Sequence, residues 1–319
     1  MLEGLFDLPL APNDSPIEAR EYYEHHFARI AAAMFQHDLV IAPKDKKQEK
    51  RYALLEIEAY LQAPNHPDPY CHDHPLQQVA GSWFFHHVGH SAGFRGGSRQ
   101  GVDITIGSKT RKSAGGMLIR AMRDKDTHRL IEGPSLLVDE ILKVLGHKNI
   151  KSLVETIWQQ DHANCWDPDA GFYLDPAPKP PQKMHTSCRV GLGLKNQQPS
   201  LENRLLFVGR PYRFVEKPWL LKKGRMWTIF GMLDHLSPHE ITSLTNASEA
   251  NVTKLKAEYD RGQSEPIETL KKCLTSQDIM AGGAGWKIRV MSAIRWWECE
   301  HHSGKTIPLL EDINKRHKP

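Results

Sequence analysis

Tyr52-Ala53-Leu54-Leu55-Glu56-Ile57-Glu58-Ala59-Tyr60-Leu61 reads as a strand of period two. Successive side chains of a strand point to opposite faces. Ala53, Leu55, Ile57, Ala59 and Leu61 therefore share one side, and Tyr52, Leu54, Glu56, Glu58 and Tyr60 the other. The first face is wholly apolar, and the second carries two carboxylates. A carboxylate in that position is held rigidly, and neighbouring aromatic groups can shield it from water. The same pattern also suits a half-exposed strand with solvated glutamates, because Glu is seldom fully buried.

Upstream, Ser15-Pro16-Ile17-Glu18 reads as a capping box, and Tyr23, Phe27, Ile30 and Met34 follow at helical spacing. Leu39-Val40-Ile41 predicts a short strand, and the charged run Lys44 to Lys50 a solvated hairpin tip. Downstream, a loop rich in Pro, His and Asp (62–78) leads to strand-like Ser82 to His87. A glycine-rich stretch then precedes Val102 to Ile106, which predicts a hairpin with a long tip. Met117 to Met122 reads as another strand. Gly133-Pro134-Ser135 opens a helix that Gly146 stops after Leu145, and a second helix fits Ile150 to Gln160. Arg189 to Leu194 and Arg204 to Val208 read as late strands. From about Pro218 the pattern turns mostly helical, with a capping box at Ser237-Pro238-His239-Glu240 and a closing aromatic cluster of Trp286, Trp296 and Trp297. Trp219, Trp227, Trp286, Trp296 and Trp297 predict a packed lobe, which could cover the core, extend a DNA-binding face or recognise a feature of the substrate; such aromatics are more often core than contact surface.

Composition narrows the function classes. With 39% apolar and 25% charged residues the 319-residue chain is of ordinary globular type. No apolar run approaches the roughly 18 residues of a membrane span. The acidic, proline-broken start does not read as a secretion signal, so a cytoplasmic, nucleoid-associated or nuclear location is expected. The cysteines number five and show no CxxC spacing, which argues against a disulfide framework or a zinc ribbon. A net charge of +4 permits an anionic partner without demanding one.

Glu56-Ile57-Glu58-Ala59-Tyr60-Leu61 resembles the E-x-E-A-Y-L signature of the alkyladenine (3-methyladenine) DNA glycosylase family. Further segments resemble that family in the same order. They are Ala28 to Val40 (helix, then strand), Leu118-Ile119-Arg120-Ala121-Met122, Gly133-Pro134-Ser135-Leu136, Arg189-Val190-Gly191-Leu192-Gly193 and Leu205-Leu206-Phe207-Val208. The resemblance covers roughly residues 28–217. It implies a mixed α/β (α+β) fold, with a curved antiparallel sheet as core and helices around it. Two domains are expected: 15–217, glycosylase-like, and 218–319, a mostly helical extension.

By motif position the resemblance implies Glu58 as the catalytic, water-activating base, Tyr60 as a wall of the base pocket and Arg120 at its rim; Glu56 falls on a structural acid. Such an enzyme flips a modified base out of double-stranded DNA and hydrolyses its N-glycosidic bond, leaving an abasic site. It works as a monomer, without metal, cofactor or membrane. Three departures follow. The family's stacking histidine falls on Pro69 here, with His72 and His74 further on, and His72 is taken for the role. Trp83-Phe84-Phe85-His86 stands where the family carries tyrosines, which gives Phe84 or His86 the stacking role. The hairpin tip is longer and holds Phe94 and Arg95, and Asp103 falls near an asparagine that rejects wrong bases. The altered pocket points to a base other than simple alkylated purines, such as a bulky natural modification carried by an invading genome.

Phe94 or Arg95 could fill the gap left by a flipped base, or Phe94 could pack under its own loop. Arg99, Lys109, Arg111 and Lys112 suit phosphate contacts, and equally a solvated basic turn. His66, Cys71, His72, Asp73, His74, His86, His87 and His90 crowd one stretch, but their spacings fit no closed zinc pattern. A non-catalytic reader of modified bases and a metal-dependent hydrolase are the competing expectations.

Overall fold

In the computed structural model the quoted stretch lies inside β2 (Lys50–Ala63), which follows β1 (His37–Ile41) as its antiparallel partner. The structure describes residues 3–12, 18–43, 49–90, 93–159, 162–180, 182–194, 201–275 and 282–302. Ser15-Pro16-Ile17 of the expected capping box and residues 44–48 of the charged turn lie outside them. The chain divides into two units, Met1–His185 with Tyr212–Lys217, and Thr186–Pro211 with Pro218–Pro319.

The first unit is built on β2. Its further strands are β3 (Ser82–Phe85), β4 (Val102–Thr105), β5 (Ala114–Asp124), β6 (Leu130–Glu132), β7 (Phe172–Pro176) and β8 (Arg213–Val215). One edge of β2 pairs with β5 from Tyr52↔Asp124 to Gln62↔Ala114. The other edge is shared, by β1 opposite residues 50–53 and by β8 opposite Glu56, Ile57 and Glu58. Beyond β5 the order continues through β4 to β3, and β7 pairs with β1, all antiparallel. The fold is mixed α/β, with a large curved antiparallel sheet and surrounding helices.

Because β2 is paired on both edges and covered on both faces, every residue from Leu54 to Ala59 is buried. The half-exposed strand with solvated glutamates is thereby excluded, since Glu56 is 2% and Glu58 0% exposed. The expected hairpin forms between β3 and β4, with Phe84 opposite Asp103. Helix α1 (Glu18–Met34) buries Tyr23, Phe27, Ile30 and Met34 as its spacing predicted. Helix α2 (Pro134–Leu145) has proline in its first turn and ends at Gly146, whose φ of 72° is the left-handed cap that glycine adopts without strain. It buries Leu137, Val138, Ile141 and Leu142, each stabilising the fold by about 1.5–3 kcal/mol. The Tyr52 hydroxyl donates to Glu140 Oε1 (2.7 Å), which ties α2 to β2.

Three local expectations are corrected. The expected helix from Ile150 to Gln160, whose last residue lies outside the described residues, is not regular: four α-helical residues widen into a π turn at Val154–Trp158, and Gln159 adopts the left-handed region. Trp158 there stacks on Phe85 (5.3 Å between centroids) and donates Nε1–H to the Ala170 carbonyl (3.0 Å). Arg189 to Leu194 forms no strand, because the chain turns at Gly191, with φ of 83°. Arg204 to Val208 is helical, within α3 (Leu201–Val208). Four successive apolar residues suit a buried strand or a buried helix alike, and tertiary packing decides.

The second unit adds α4 (Arg225–Met232), α5 (Pro238–Thr245), α6 (Glu249–Ser264), α7 (Pro266–Thr275) and α8 (Ala284–His302). The Ser237 capping box forms as read, with the Glu240 N–H donating to Ser237 Oγ (3.3 Å) and the Ser237 N–H to Glu240 Oε2 (2.8 Å). Helices α6 and α8 meet at Gly262, where a Cβ would stand 2.3 Å from the Arg289 carbonyl oxygen. Trp297 of α8 is fully buried, whereas Trp219 is 41% exposed and lies outside the core.

Ile57 is fully buried at the centre of β2. Replacing it with Ala should lower the stability of the first unit by about 2–5 kcal/mol, read from urea unfolding.

Candidate functional site

Two groups of polar side chains stand on one face of the sheet. The first grows from β2. Register slips between Leu54 and Ile57 leave Arg120 of β5 without a direct cross-strand partner. Its side chain lies on the face of Glu56 and Glu58. Arg120 Nε donates to Glu56 Oε1 at 2.9 Å, and its contacts to the two Glu58 oxygens are longer, at 3.3 Å each. From the other edge Arg213 Nε donates to Glu56 Oε1 at 2.6 Å. The Tyr60 hydroxyl donates to Glu58 Oε2 (2.8 Å).

Two carboxylates and two guanidiniums thus neutralise each other in a buried cluster. Burial pushes the Glu56 carboxyl up, but Arg213 and Arg120 outweigh it and hold its pKa below the ordinary value. Burial also opposes the charge of Arg120, yet Glu58 and Glu56 keep its pKa above the usual arginine range.

The second group comes from β3, β4 and the 64–78 loop. His86 Nε2–H donates to Asp103 Oδ1 (2.9 Å), and the Gln77 amide donates to Asp103 Oδ2 (3.3 Å). The His72 ring lies 4.4 Å from that of His86. Phe84 is 1% exposed and lies behind the imidazoles, its centroid 5.2 Å from those of both His74 and His87. His72 is held at a pKa of about 4, first by burial and then by the neighbouring His86. Its ring is uncharged at neutral pH.

The sheet register links the two groups. Arg213 pairs with Glu58, Glu58 with Leu118, Leu118 with Asp103, and Asp103 with Phe84. Directly paired residues share a face, so one cross-strand row carries the carboxylates and the aromatic wall. Glu58 and Asp103 stand two strand spacings apart, about 10 Å. Between Tyr60 and the Asp103 side chain lies Gly116, where a Cβ would come within 2.8 Å of Asp103 Oδ2. Asp103 therefore leans over a position without a side chain. Gly116 and Gln77 escaped sequence reasoning; the only signal was the pair Gly115-Gly116 inside a strand, which marks close approach of another group.

The remaining histidines are distributed by function of the fold. His66 is a core residue, donating Nδ1–H to the Leu61 carbonyl (2.8 Å) and accepting from the Tyr212 hydroxyl (2.7 Å). His74 caps the turn at Pro75–Gln78, accepting from the Leu76 N–H at Nδ1 (3.2 Å) and donating Nε2–H to the His90 carbonyl (2.9 Å). Burial pushes the Cys71 thiol up, and it donates to the Ala114 carbonyl (3.4 Å). Among the described residues no group of three or more His, Cys, Asp and Glu is placed to hold a metal ion.

At the hairpin tip, Phe94 packs against its own hairpin, 4.6 Å from the His87 ring. Arg95 is also tied to that hairpin, donating Nε–H to the His87 carbonyl (2.8 Å). The exposed apolar side chain there is Val88, at 54%, which no sequence pattern had marked. Arg99, Lys109 and Lys112 are exposed, whereas Arg111 pairs with Asp7.

No family model matches the chain. Uncharacterized protein L759 of Acanthamoeba polyphaga mimivirus is 29% identical over 214 residues, which span 63% of this chain and 91% of that protein. Among the described residues no helix is long and apolar enough to cross a membrane.

Two measurements probe this site. Glu56→Ala strands two buried guanidiniums and should destabilise the protein by about 3–5 kcal/mol, with part recovered in Glu56→Ala/Arg213→Met. Unfolding in urea reads both. For His72 the folded pKa lies below its ordinary 6.5, so the unfolded chain binds more protons between that value and about 4. Stability therefore falls as pH drops through this window. The urea midpoint should decline from pH 7 to pH 5, and less steeply in His72→Phe.

Proposed function

We propose that this protein is a monofunctional DNA glycosylase, with Glu58 activating water against the anomeric carbon of a flipped nucleotide in double-stranded DNA. The supporting observation is the single sheet face that carries Glu58, with Tyr60 and Arg120, two strands from an uncharged imidazole and aromatic wall. Cleaving a glycosidic bond develops positive charge on the sugar, which a fixed carboxylate stabilises while drawing a proton from the attacking water; the C–N electron pair leaves with the base, which takes up a proton as it departs. A flipped base needs flat, apolar surfaces to stack on, and His72 and His86, backed by Phe84, offer them.

Glu58 is fully covered, so in this reading substrate entry moves Tyr60 and Arg120 aside. Arg120 makes its short bond to Glu56 and only 3.3 Å contacts to Glu58. Glu56, anchored also by Arg213, keeps the cluster in place while Glu58 is freed. The family resemblance of residues 56–61 agrees with this assignment, and the altered wall favours a base other than simple alkylated purines. Val88, at the end of the hairpin, is the exposed apolar residue suited to filling the gap in the duplex. Exposed Arg99, Lys109 and Lys112 suit phosphate contacts; the protein acts as a monomer, in repair or in defence against modified genomes.

One observation favours a second reading. A carboxylate with 0% exposure, accepting from Tyr60 and Arg120, is what a purely structural glutamate looks like, and would suit a non-catalytic reader of modified bases. Alkaline strand cleavage on a panel of modified duplexes separates the two. The glycosylase reading expects abasic sites with the unaltered protein, at least a hundredfold fewer, roughly, with Glu58→Gln, and binding retained. Equal activity in Glu58→Gln would remove the proposed base, and modified-base binding without any release would establish the reader.

A further inference from the structure

The second unit holds an exposed tryptophan in a rigid basic turn. Trp219 is 41% exposed, whereas Trp83, Trp158, Trp227 and Trp297 are buried. Pro218 before it and Leu221 two residues after it are buried and anchor the turn on either side. Asn246, in the left-handed region at φ 53°, donates from Nδ2 to the Trp219 carbonyl (3.2 Å). The Arg225 guanidinium donates to the carbonyls of Leu221 (3.0 Å) and Asn246 (3.4 Å). The backbone beneath the indole is thus fixed before any partner arrives, which lowers the entropy lost on binding.

Charge accompanies the ring. Lys222 and Lys223 are exposed, and the segment 218–225 contains no acidic residue. The other exposed large apolar side chains described are Val79, Val88, Leu136 and Ile267, so no second one stands in this turn. A bilayer would need an apolar face to insert. One flat ring beside two cations instead matches a strand that alternates stackable rings with negative charge.

We infer that Trp219, Lys222 and Lys223 form a contact site for single-stranded nucleic acid, the indole stacking on an unpaired base and the lysines meeting phosphates. The site shares no residue with the Glu58 cluster and requires no modified base. It binds without sequence preference, because every base offers a flat ring. Its affinity falls with salt, since the phosphate contacts release counterions.

The test uses the full chain and an unmodified single-stranded oligonucleotide, with tryptophan emission and fluorescence anisotropy as readouts. Stacking on the most exposed indole should quench emission. Trp219→Ala should abolish that quench and weaken binding by about 5- to 150-fold, the range found for loss of one base–aromatic stack. Trp219→Phe should lose the quench and keep most of the affinity, a result that misfolding cannot produce. Lys222→Glu/Lys223→Glu should flatten the dependence of affinity on salt. Unchanged affinity in Trp219→Ala would overturn the site, as would the absence of any binding. Quenching by vesicles of anionic lipid with none by the oligonucleotide would replace it with a membrane contact. Because the oligonucleotide carries no modified base, these outcomes hold whatever the Glu58→Gln experiment returns.

Discussion

Four charges buried on one strand face constrain most of the first unit. Glu56 and Glu58 enter the interior on β2, and each ion taken out of water costs several kcal/mol unless it is paired. Pairing comes from both sides of the strand, Arg120 from β5 and Arg213 from β8. The chain must therefore return from residue 63 to 114 on one edge and from 176 to 213 on the other with its register set to within a residue. A one-residue slip of β8 would turn Arg213 to the opposite face and leave Glu56 short of a cation. The irregular register around Leu55 and Arg120 belongs to the same arrangement, because it lets one guanidinium reach both carboxylates.

The two carboxylates of the cluster are held by different partners. Glu56 takes the short bonds from both arginines and serves as the anchor. Glu58 receives the Tyr60 hydroxyl and the longer arginine contacts, and it faces the row that runs through Leu118 to Asp103 and Phe84. Across that row the wall contains the His72 ring, kept neutral by burial, with Asp103 held between His86 and Gln77. Gly116, lacking a side chain, leaves the space that the Asp103 side chain occupies. The buried ion cluster and the histidine-aromatic wall thus stand on one sheet face, two strands apart.

The second unit follows a simpler logic. Capping at Ser237, the close approach at Gly262 and the burial of Trp227 and Trp297 account for its helices. Trp219 departs from that pattern: a residue type expected in the core is held at the surface by Asn246 and Arg225. Aromatic content marks a packed lobe, yet cannot tell which ring stays outside, because that depends on hydrogen bonds to the backbone of one turn.

Local periodicity and capping chemistry were enough to read β2 from alternation, α1 from its apolar stripe, α2 from Gly133-Pro134 and Gly146, and the helix start at Ser237. Those signals act over a few residues and survive without a partner. Segments such as 204–208 were ambiguous, since a run of apolar residues suits either element once buried. The pairing of Glu56 with Arg213, 157 positions away, left no local trace. Neither did the covering of Glu58, the bond from Gln77 to Asp103, the space at Gly116 that Asp103 fills or the outward indole of Trp219. Burial and ion pairing depend on which distant segments meet, and only the folded chain brings them together.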